Sequence, residues 1–153
     1  MQVKKSKPRP PVDSVERALT IVGDAWTFLI LREAFFGVRR FHDFKANTGI
    51  APNILSTRLR KLVDAGLFTR VRYSGHANRF EYRLTDMGRD LYPIIVMLMR
   101  WGDKWLNEGR PAPLTLVHAP CGGVLAPELR CNHCDRPIAA QDVEWYATRG
   151  DEG

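Results

Sequence analysis

No run of apolar residues in this 153-residue sequence is longer than residues 94–99, whereas a helix that crosses a bilayer needs about 20 of them. Only three cysteines are present, and no apolar segment follows the basic N-terminus, so neither a secretory signal nor a disulfide framework is expected. The transmembrane and the secreted disulfide-rich classes are therefore excluded. With 44% hydrophobic and 26% charged residues, the composition is typical of a globular protein, which we expect in the cytoplasm.

Acidic residues are scarce in the middle of the chain. Residues 32–89 contain twelve basic and five acidic residues, a net charge of +7, and residues 1–12 carry +4. Residues 111–153 carry −3, and the whole chain carries +6. A basic middle between neutral and acidic flanks favours a polyanion-binding surface, although a solvated basic face would give the same charge pattern.

Apolar residues at helical spacing predict several helices. Four shorter ones are expected at residues 13–22, 25–36, 39–47 and 52–64, and a longer one at residues 85–107. Trp26 lies on the apolar stripe of the second helix, so we expect it in the core. Thr85 is the expected N-cap of the long helix, which contains Pro93 and Gly102 as local irregularities.

The third and fourth of these helices, joined by a tight turn, form a helix-turn-helix pattern. Pro52 suits the first position of the fourth helix, and Ala51 is a weak N-cap before it. Opposite the leucine stripe, this helix carries hydroxyl, amide and basic groups, which read base edges and phosphates. We interpret it as a recognition helix rather than an ordinary solvent face, because no acidic residue interrupts this side before Asp64. Its predicted DNA-binding residues are Asn53, Ser56, Thr57, Arg58, Arg60 and Lys61.

Alternating residues predict two strands, at residues 67–73 and 79–84, with turn-forming residues 74–78 between them. A basic hairpin directly after a recognition helix is typical of a wing, whose tip contacts the minor groove or phosphates. His76 at this tip is interpreted as a turn residue or phosphate contact rather than a metal ligand. The DNA-binding residues predicted outside the recognition helix are Arg39, Arg40, Arg72, His76, Asn78 and Arg79.

The long helix is apolar on every side over residues 94–99, so it needs to be buried on two faces. A second copy of the chain is the simplest source of the second face. We therefore predict a homodimer built on this helix, with the first helix packed alongside. The predicted interface residues are Tyr92, Ile95, Met99, Trp101 and Leu106.

Three motifs occur in order: Gly-x-x-Trp-x-x-x-Ile-Leu-Arg at residues 23–32, Leu-x-x-Arg-Leu-x-x-Leu at 55–62 and Tyr-x-Leu-Thr-x-x-Gly at 82–88. With them the sequence resembles the HxlR-type branch of bacterial winged helix-turn-helix regulators, relatives of MarR, over residues 13–107. The resemblance implies a homodimer on an inverted-repeat operator, with residues 52–64 in the major groove. Many members carry a redox-sensing cysteine before the first helix, where this sequence has Asp13 and Ser14.

All three cysteines lie beyond a Pro-Ala-Pro boundary at residues 111–113. His118 and Cys121 form one pair, and Cys131 and Cys134 form a second pair after nine intervening residues, a spacing that resembles a miniature zinc ribbon. Three thiolates and one imidazole suit tetrahedral Zn²⁺, so a structural zinc ion is the expected cofactor. His133 is the rival fourth ligand, and a metal-free tail with free thiols is the alternative.

These patterns predict a mainly α-helical fold with a small β-hairpin wing, of the α+β class. We expect a flexible basic arm at residues 1–12, a winged helix-turn-helix domain for DNA binding and dimerisation at residues 13–110, and a zinc-ribbon-like subdomain at residues 111–153.

The expected function is sequence-specific regulation of transcription. The expected partners are double-stranded DNA and a second copy of the chain, and the protein is expected to be associated with the nucleoid. A winged-helix and zinc-ribbon adaptor that binds proteins without specific DNA binding is the alternative. An enzyme is not expected, because no nucleophile–base pair or Gly-rich phosphate loop is visible. A membrane partner is not expected either, and a small-molecule effector, if there is one, cannot be identified from these residues.

Overall fold

The computed structural model describes residues 14–72 and 79–144. The predicted arm at residues 1–12 and the wing-tip residues His76 and Asn78 lie outside these ranges. The elements, in chain order, are helices α1 (Ser14–Val22), α2 (Ala25–Phe35), α3 (Phe41–Thr48) and α4 (Pro52–Asp64), strands β1 (Phe68–Arg72) and β2 (Phe80–Leu84), helices α5 (Asp86–Arg89) and α6 (Tyr92–Trp105), and strands β3 (Val117–His118) and β4 (Gly123–Val124), followed by a short 3-10 turn (Ala140–Asp142). Within the described ranges, no helix has the length and apolarity needed to cross a membrane.

One hydrophobic core joins the helices to the hairpin. Apolar side chains at helical spacing on α2, α3 and α4 converge there, and β1 covers them through Phe68. The buried members are Val22, Ile30, Leu31, Phe44, Ile50, Leu55, Leu59, Leu62, Leu67, Phe68 and Ile95. The helix-turn-helix is therefore held by the same apolar burial that forms the domain.

A buried carboxylate fixes α2 against α3. Glu33 forms an ion pair with Arg32 at 2.8 Å, and its other oxygen accepts a hydrogen bond from the Asn47 side-chain amide, also at 2.8 Å. A buried carboxylate that receives two donors avoids most of the cost of leaving water. This pairing sets the position of α3 and hence of the turn that leads into α4.

The hairpin of β1 and β2 is antiparallel, with Phe68 opposite Leu84 and Arg72 opposite Phe80. A short extended segment joins it, since Arg40 forms an isolated bridge with Glu81 and the Arg39 carbonyl accepts the Tyr82 N–H at 2.8 Å. The prediction that a helix begins at residue 39 is therefore wrong: these two arginines are extended, and α3 begins at Phe41.

The long helix predicted at residues 85–107 is divided into α5 and α6. Thr85 is the N-cap, as predicted, and its hydroxyl accepts the Gly88 N–H at 3.1 Å. The helix is interrupted before Tyr92 because Pro93 has no N–H to donate to the carbonyl four residues earlier. Apart from this division, the predicted class of a mainly α-helical fold with a small β-hairpin is confirmed.

Candidate nucleic-acid interface

Helix α4 has one buried side and one open side. Leu55, Leu59 and Leu62 are at most 1% exposed and anchor the helix in the core. The side opposite them is exposed and consists of Asn53, Ser56, Thr57, Arg60 and Lys61. Residues 44–63 contain no Asp or Glu, so this open side presents hydroxyls, an amide and two cations without a competing carboxylate.

The turn before α4 is fixed by local interactions. The Thr48 hydroxyl donates to the Phe44 carbonyl at 2.6 Å and accepts the Ile50 N–H at 3.3 Å. Gly49 has φ 69°, a left-handed conformation that favours glycine, and Ile50 is buried directly after it. The chain then enters α4 with Pro52 in its first turn.

Arg58 is the exception among the predicted residues of α4. Its guanidinium lies 3.2 Å from Asp24 Oδ2, and the side chain is half-buried. The same carboxylate caps α2, since Asp24 Oδ1 accepts the Thr27 N–H at 3.0 Å. Arg58 therefore ties α4 to the start of α2, and its contact with DNA stays a prediction.

The arginines predicted to bind DNA outside α4 are exposed. Arg72 and Arg79 flank residues 73–78 of the hairpin, and Arg39 is exposed beside β2. Arg40 is exposed too, with its Nε 3.9 Å from a Glu81 carboxylate oxygen.

Sequence reasoning missed Arg70, whose guanidinium carbon lies 3.5 Å from the centre of the Phe80 ring. This stacking holds an additional cation on the hairpin. The signal was present, because strict alternation along β1 places residues 70 and 72 on one face of the strand.

The exposed side of α6 forms an apolar stripe. Of the predicted interface residues, Tyr92, Trp101 and Leu106 are exposed, and Met99 is half-buried against the core. The prediction for Ile95 is wrong, because its side chain is 4% exposed and belongs to the core of its own chain. The exposed stripe consists of Ile94, Met97, Leu98, Trp101 and Trp105, each of which lies three or four residues from another member.

More apolar surface is exposed near the N-terminus. Val15 and Leu19 of α1 are 64% and 52% exposed. Trp26, which was predicted to lie in the core, is also exposed, at 38%. Trp26 lies four residues before the buried Ile30 and thus near the same face of α2, but it is in the first turn of the helix and is not part of the core.

The tail contains the two predicted ligand pairs in separate turns. His118 Nδ1 lies 3.2 Å from Cys121 Sγ in the first turn. In the second turn the backbone N–H groups of His133 and Cys134, followed by the Cys134 side chain, lower the pKa of the Cys131 thiol. Within residues 14–72 and 79–144, no three His, Cys, Asp or Glu side chains are grouped closely enough to hold a metal ion.

Comparison with known proteins points in the same direction as this geometry. A family model described as HxlR-like helix-turn-helix matches residues 21–110. The chain is 53% identical over 131 residues to Rv3095 of Mycobacterium tuberculosis, an uncharacterised helix-turn-helix-type transcriptional regulator, with 86% of this chain and 83% of the relative covered.

Two solved structures extend the comparison to the fold. The structure of PA1607, a candidate transcription factor, has a TM-score of 0.81 and 35% identity, and the match covers 92% of this chain and 96% of that one. A regulator of the MarR family from Enterococcus faecalis has a TM-score of 0.53 and 27% identity, with 67% and 96% covered. These similarities confirm the predicted winged helix-turn-helix fold, and the proteins concerned are described as transcription regulators.

Proposed function

Since the chain belongs to the HxlR-like helix-turn-helix family and is a transcriptional regulator of that type, we propose that it binds particular sequences of double-stranded DNA and does so as a homodimer. The observation that carries the proposal is the open side of α4, where five polar and basic side chains face outward opposite the buried leucines. A helix of this kind enters the major groove, where amide, hydroxyl and guanidinium groups distinguish base pairs. We therefore assign α4 as the recognition helix.

The hairpin supplies the contacts that position this helix. The hairpin follows α4 in the chain and carries three exposed cations: Arg70 and Arg72 on β1, and Arg79 just before β2. Contacts of this kind with phosphates fix the register of a protein on the duplex but carry little sequence information. We assign the hairpin as a wing that contacts phosphates or the minor groove, while α4 reads the bases.

The apolar stripe of α6 supports the dimer. A row of large apolar side chains from Ile94 to Trp105 of one helix, with Val15 and Leu19 of α1 also exposed, is more than a single chain usually leaves in water. Two copies related by a twofold axis would bury the same stripe from both chains. The two recognition helices would then meet an inverted repeat with half-sites about 10 base pairs apart, one helical turn of DNA.

Selection from random double-stranded DNA tests this proposal, with wild-type protein compared with Arg60→Ala. We expect enrichment of one inverted repeat. Arg60→Ala should weaken binding to it by about 1–3 kcal/mol and relax the preference at one position of each half-site, because a bidentate arginine distinguishes guanine at that cost. Arg110→Ala is the matched control, since Arg110 is exposed, lies outside both α4 and the hairpin, and pairs with Glu108 at 3.2 Å. The affinity of this variant for the selected DNA should equal that of the wild type.

Two results would count against the proposal in different ways. Equal losses on every sequence would make Arg60 a phosphate contact and remove base reading from this position. If no sequence is enriched at all, specific DNA binding by this chain is excluded and an adaptor that binds proteins becomes the better description.

A further inference from the structure

Beyond α6, the chain has an ordered backbone without a hydrophobic core. Residues 117–124 form a small hairpin of β3 and β4, and Arg130 forms a bridge with Pro137. Over residues 111–144, however, no side chain is buried, and the large apolar residues Val124 and Leu129 are 72% and 60% exposed. Burial of apolar surface therefore does not account for this fold, and small units of this kind are commonly held by disulfides or a metal ion.

The two turns that contain the candidate ligands have the same backbone design. In the first, the His118 carbonyl accepts the Gly122 N–H at 2.8 Å; in the second, the Cys131 carbonyl accepts the Asp135 N–H at 2.9 Å. The residue after the second ligand is left-handed in both, with φ 69° at Gly122 and 56° at Asp135. Aspartate is one of the few non-glycine residues that adopt this conformation readily, so both turns have a suitable residue at this position.

Each turn also lies at the end of a paired segment. Val117 pairs with Val124 around the first turn, and Arg130 pairs with Pro137 around the second. The Cys131 N–H donates to the Arg136 carbonyl at 2.9 Å, which closes the second turn. Each turn therefore presents two ligand side chains from a short loop with a fixed backbone.

The side-chain atoms of the first turn are close to the separation that zinc requires. His118 Nδ1 and Cys121 Sγ are 3.2 Å apart. Zinc bonds of about 2.0 Å to nitrogen and 2.3 Å to sulfur in a tetrahedron place two such atoms roughly 3.5 Å apart. The second turn offers two thiols from one Cys-x-x-Cys loop, the spacing at which zinc knuckles present their ligands.

We propose that His118, Cys121, Cys131 and Cys134 bind one Zn²⁺ per chain and that the ion joins the two turns into a single unit. In the described part of the tail no three of the four ligands are grouped, and no side chain of residues 111–144 is buried. Binding draws them together. Because four protein ligands fill the tetrahedron and leave no position for water, the site is structural and not hydrolytic.

Metal analysis of the full chain, purified without chelator, tests this inference independently of DNA binding. We expect one zinc per chain. Replacement of zinc by Co²⁺ should give the visible spectrum of a tetrahedral ion, together with thiolate-to-cobalt absorption of an intensity that fits three thiolates. All three cysteines of the chain are in this tail, so the thiolate signal has no other source.

Variants identify the ligands. Cys134→Ser should weaken zinc binding on the order of 100-fold or more, since it removes a direct ligand. His118→Asn should weaken it strongly, whereas His133→Asn, which changes a neighbouring exposed imidazole, should leave the affinity unchanged. A strong effect of His133→Asn with none for His118→Asn would overturn the proposed ligand set.

The wild-type chain alone can also contradict the proposal, so the test does not depend on whether a variant folds. With its thiols reduced, the chain should take up zinc in competition with a chelator of moderate affinity. A chain that takes up none, or that binds one ion between two chains, does not contain the site described above.

Discussion

Ala51 leaves the first backbone N–H groups of α4 without a side-chain acceptor. It is exposed, precedes Pro52 and forms no capping hydrogen bond. Ala51→Ser should stabilise the protein by about 1 kcal/mol, because the serine hydroxyl can accept one of these N–H groups. Thermal unfolding measures the change as a rise of roughly 2–4 °C in Tm for a chain of this size. Ala46→Ser, on the exposed side of α3, is the control and should lower Tm slightly; an equal Tm for wild type and Ala51→Ser would mean that the serine finds no N–H to accept.

Gly88 is the last residue of the Tyr-x-Leu-Thr-x-x-Gly motif, and the structure explains why a glycine stands there. A Cβ at this position would lie 2.2 Å from the Leu67 carbonyl oxygen and 3.0 Å from a methyl carbon of Leu84. Gly88→Ala should therefore destabilise the fold by roughly 1–3 kcal/mol, because backbone must move to make room.

Gly102 provides the matched control for this substitution. A Cβ there would meet nothing within 4 Å, and the residue lies inside α6. Gly102→Ala should be neutral or stabilising by up to about 1 kcal/mol, since alanine favours the helix. Denaturant unfolding of both variants gives the comparison, and equal effects would show that the contact of Gly88 with Leu67 is not close.

At the scale of an element, α6 has two different faces. Ile95 and Val96 are buried against its own chain, while the stripe that includes Leu98 and Trp101 is exposed. This division gives α6 two roles, one in the monomer core and one in the proposed contact between chains. A substitution on the exposed stripe should therefore affect the proposed contact between chains and leave the monomer core intact.

Leu98→Glu places a carboxylate at the centre of the exposed stripe. It should weaken the dimer on the order of 100-fold or more while leaving the fold of each chain intact, because the charge would be buried only in the interface. Light scattering across protein concentrations measures this. Met87→Glu, which changes an equally exposed residue of α5, is the control. Dimers of unchanged strength in Leu98→Glu would place the contact elsewhere.

The sequence predicted those elements whose signals are local. The bounds of α4 agree with the prediction because a leucine repeat, Pro52 and the Ala65-Gly66 end all lie within or beside it. It could not predict which residues of the run 94–99 face the core, because a uniformly apolar segment has no periodicity to read. This is why Ile95 was assigned to the wrong face.

Other features were missed because their partners are distant in the chain. Arg58 pairs with Asp24, and the extended residues 39 and 40 lie beside Tyr82 and Glu81. No local pattern contains these pairings. Arg40 and Arg58, two of the predicted DNA-binding residues, are held by such pairings, so the sequence outlined the open side of α4 without showing which neighbouring arginines have partners in the fold.

At the scale of the whole molecule, positive and negative charge lie in different regions of the chain. The positive charge is concentrated in residues 32–89, which contain α4 and the hairpin, whereas residues 111–153 are net negative. A duplex should therefore be attracted to the winged domain and not to the tail. With two copies, the molecule would present two basic surfaces related by a twofold axis.

The mass and salt dependence of the protein–DNA complex test the central claim most directly. On a duplex that carries the selected inverted repeat, light scattering should give two chains per duplex. The affinity should fall steeply between about 50 and 200 mM salt as phosphate contacts are lost. A chain that remains single and binds no double-stranded DNA at low ionic strength would contradict the account.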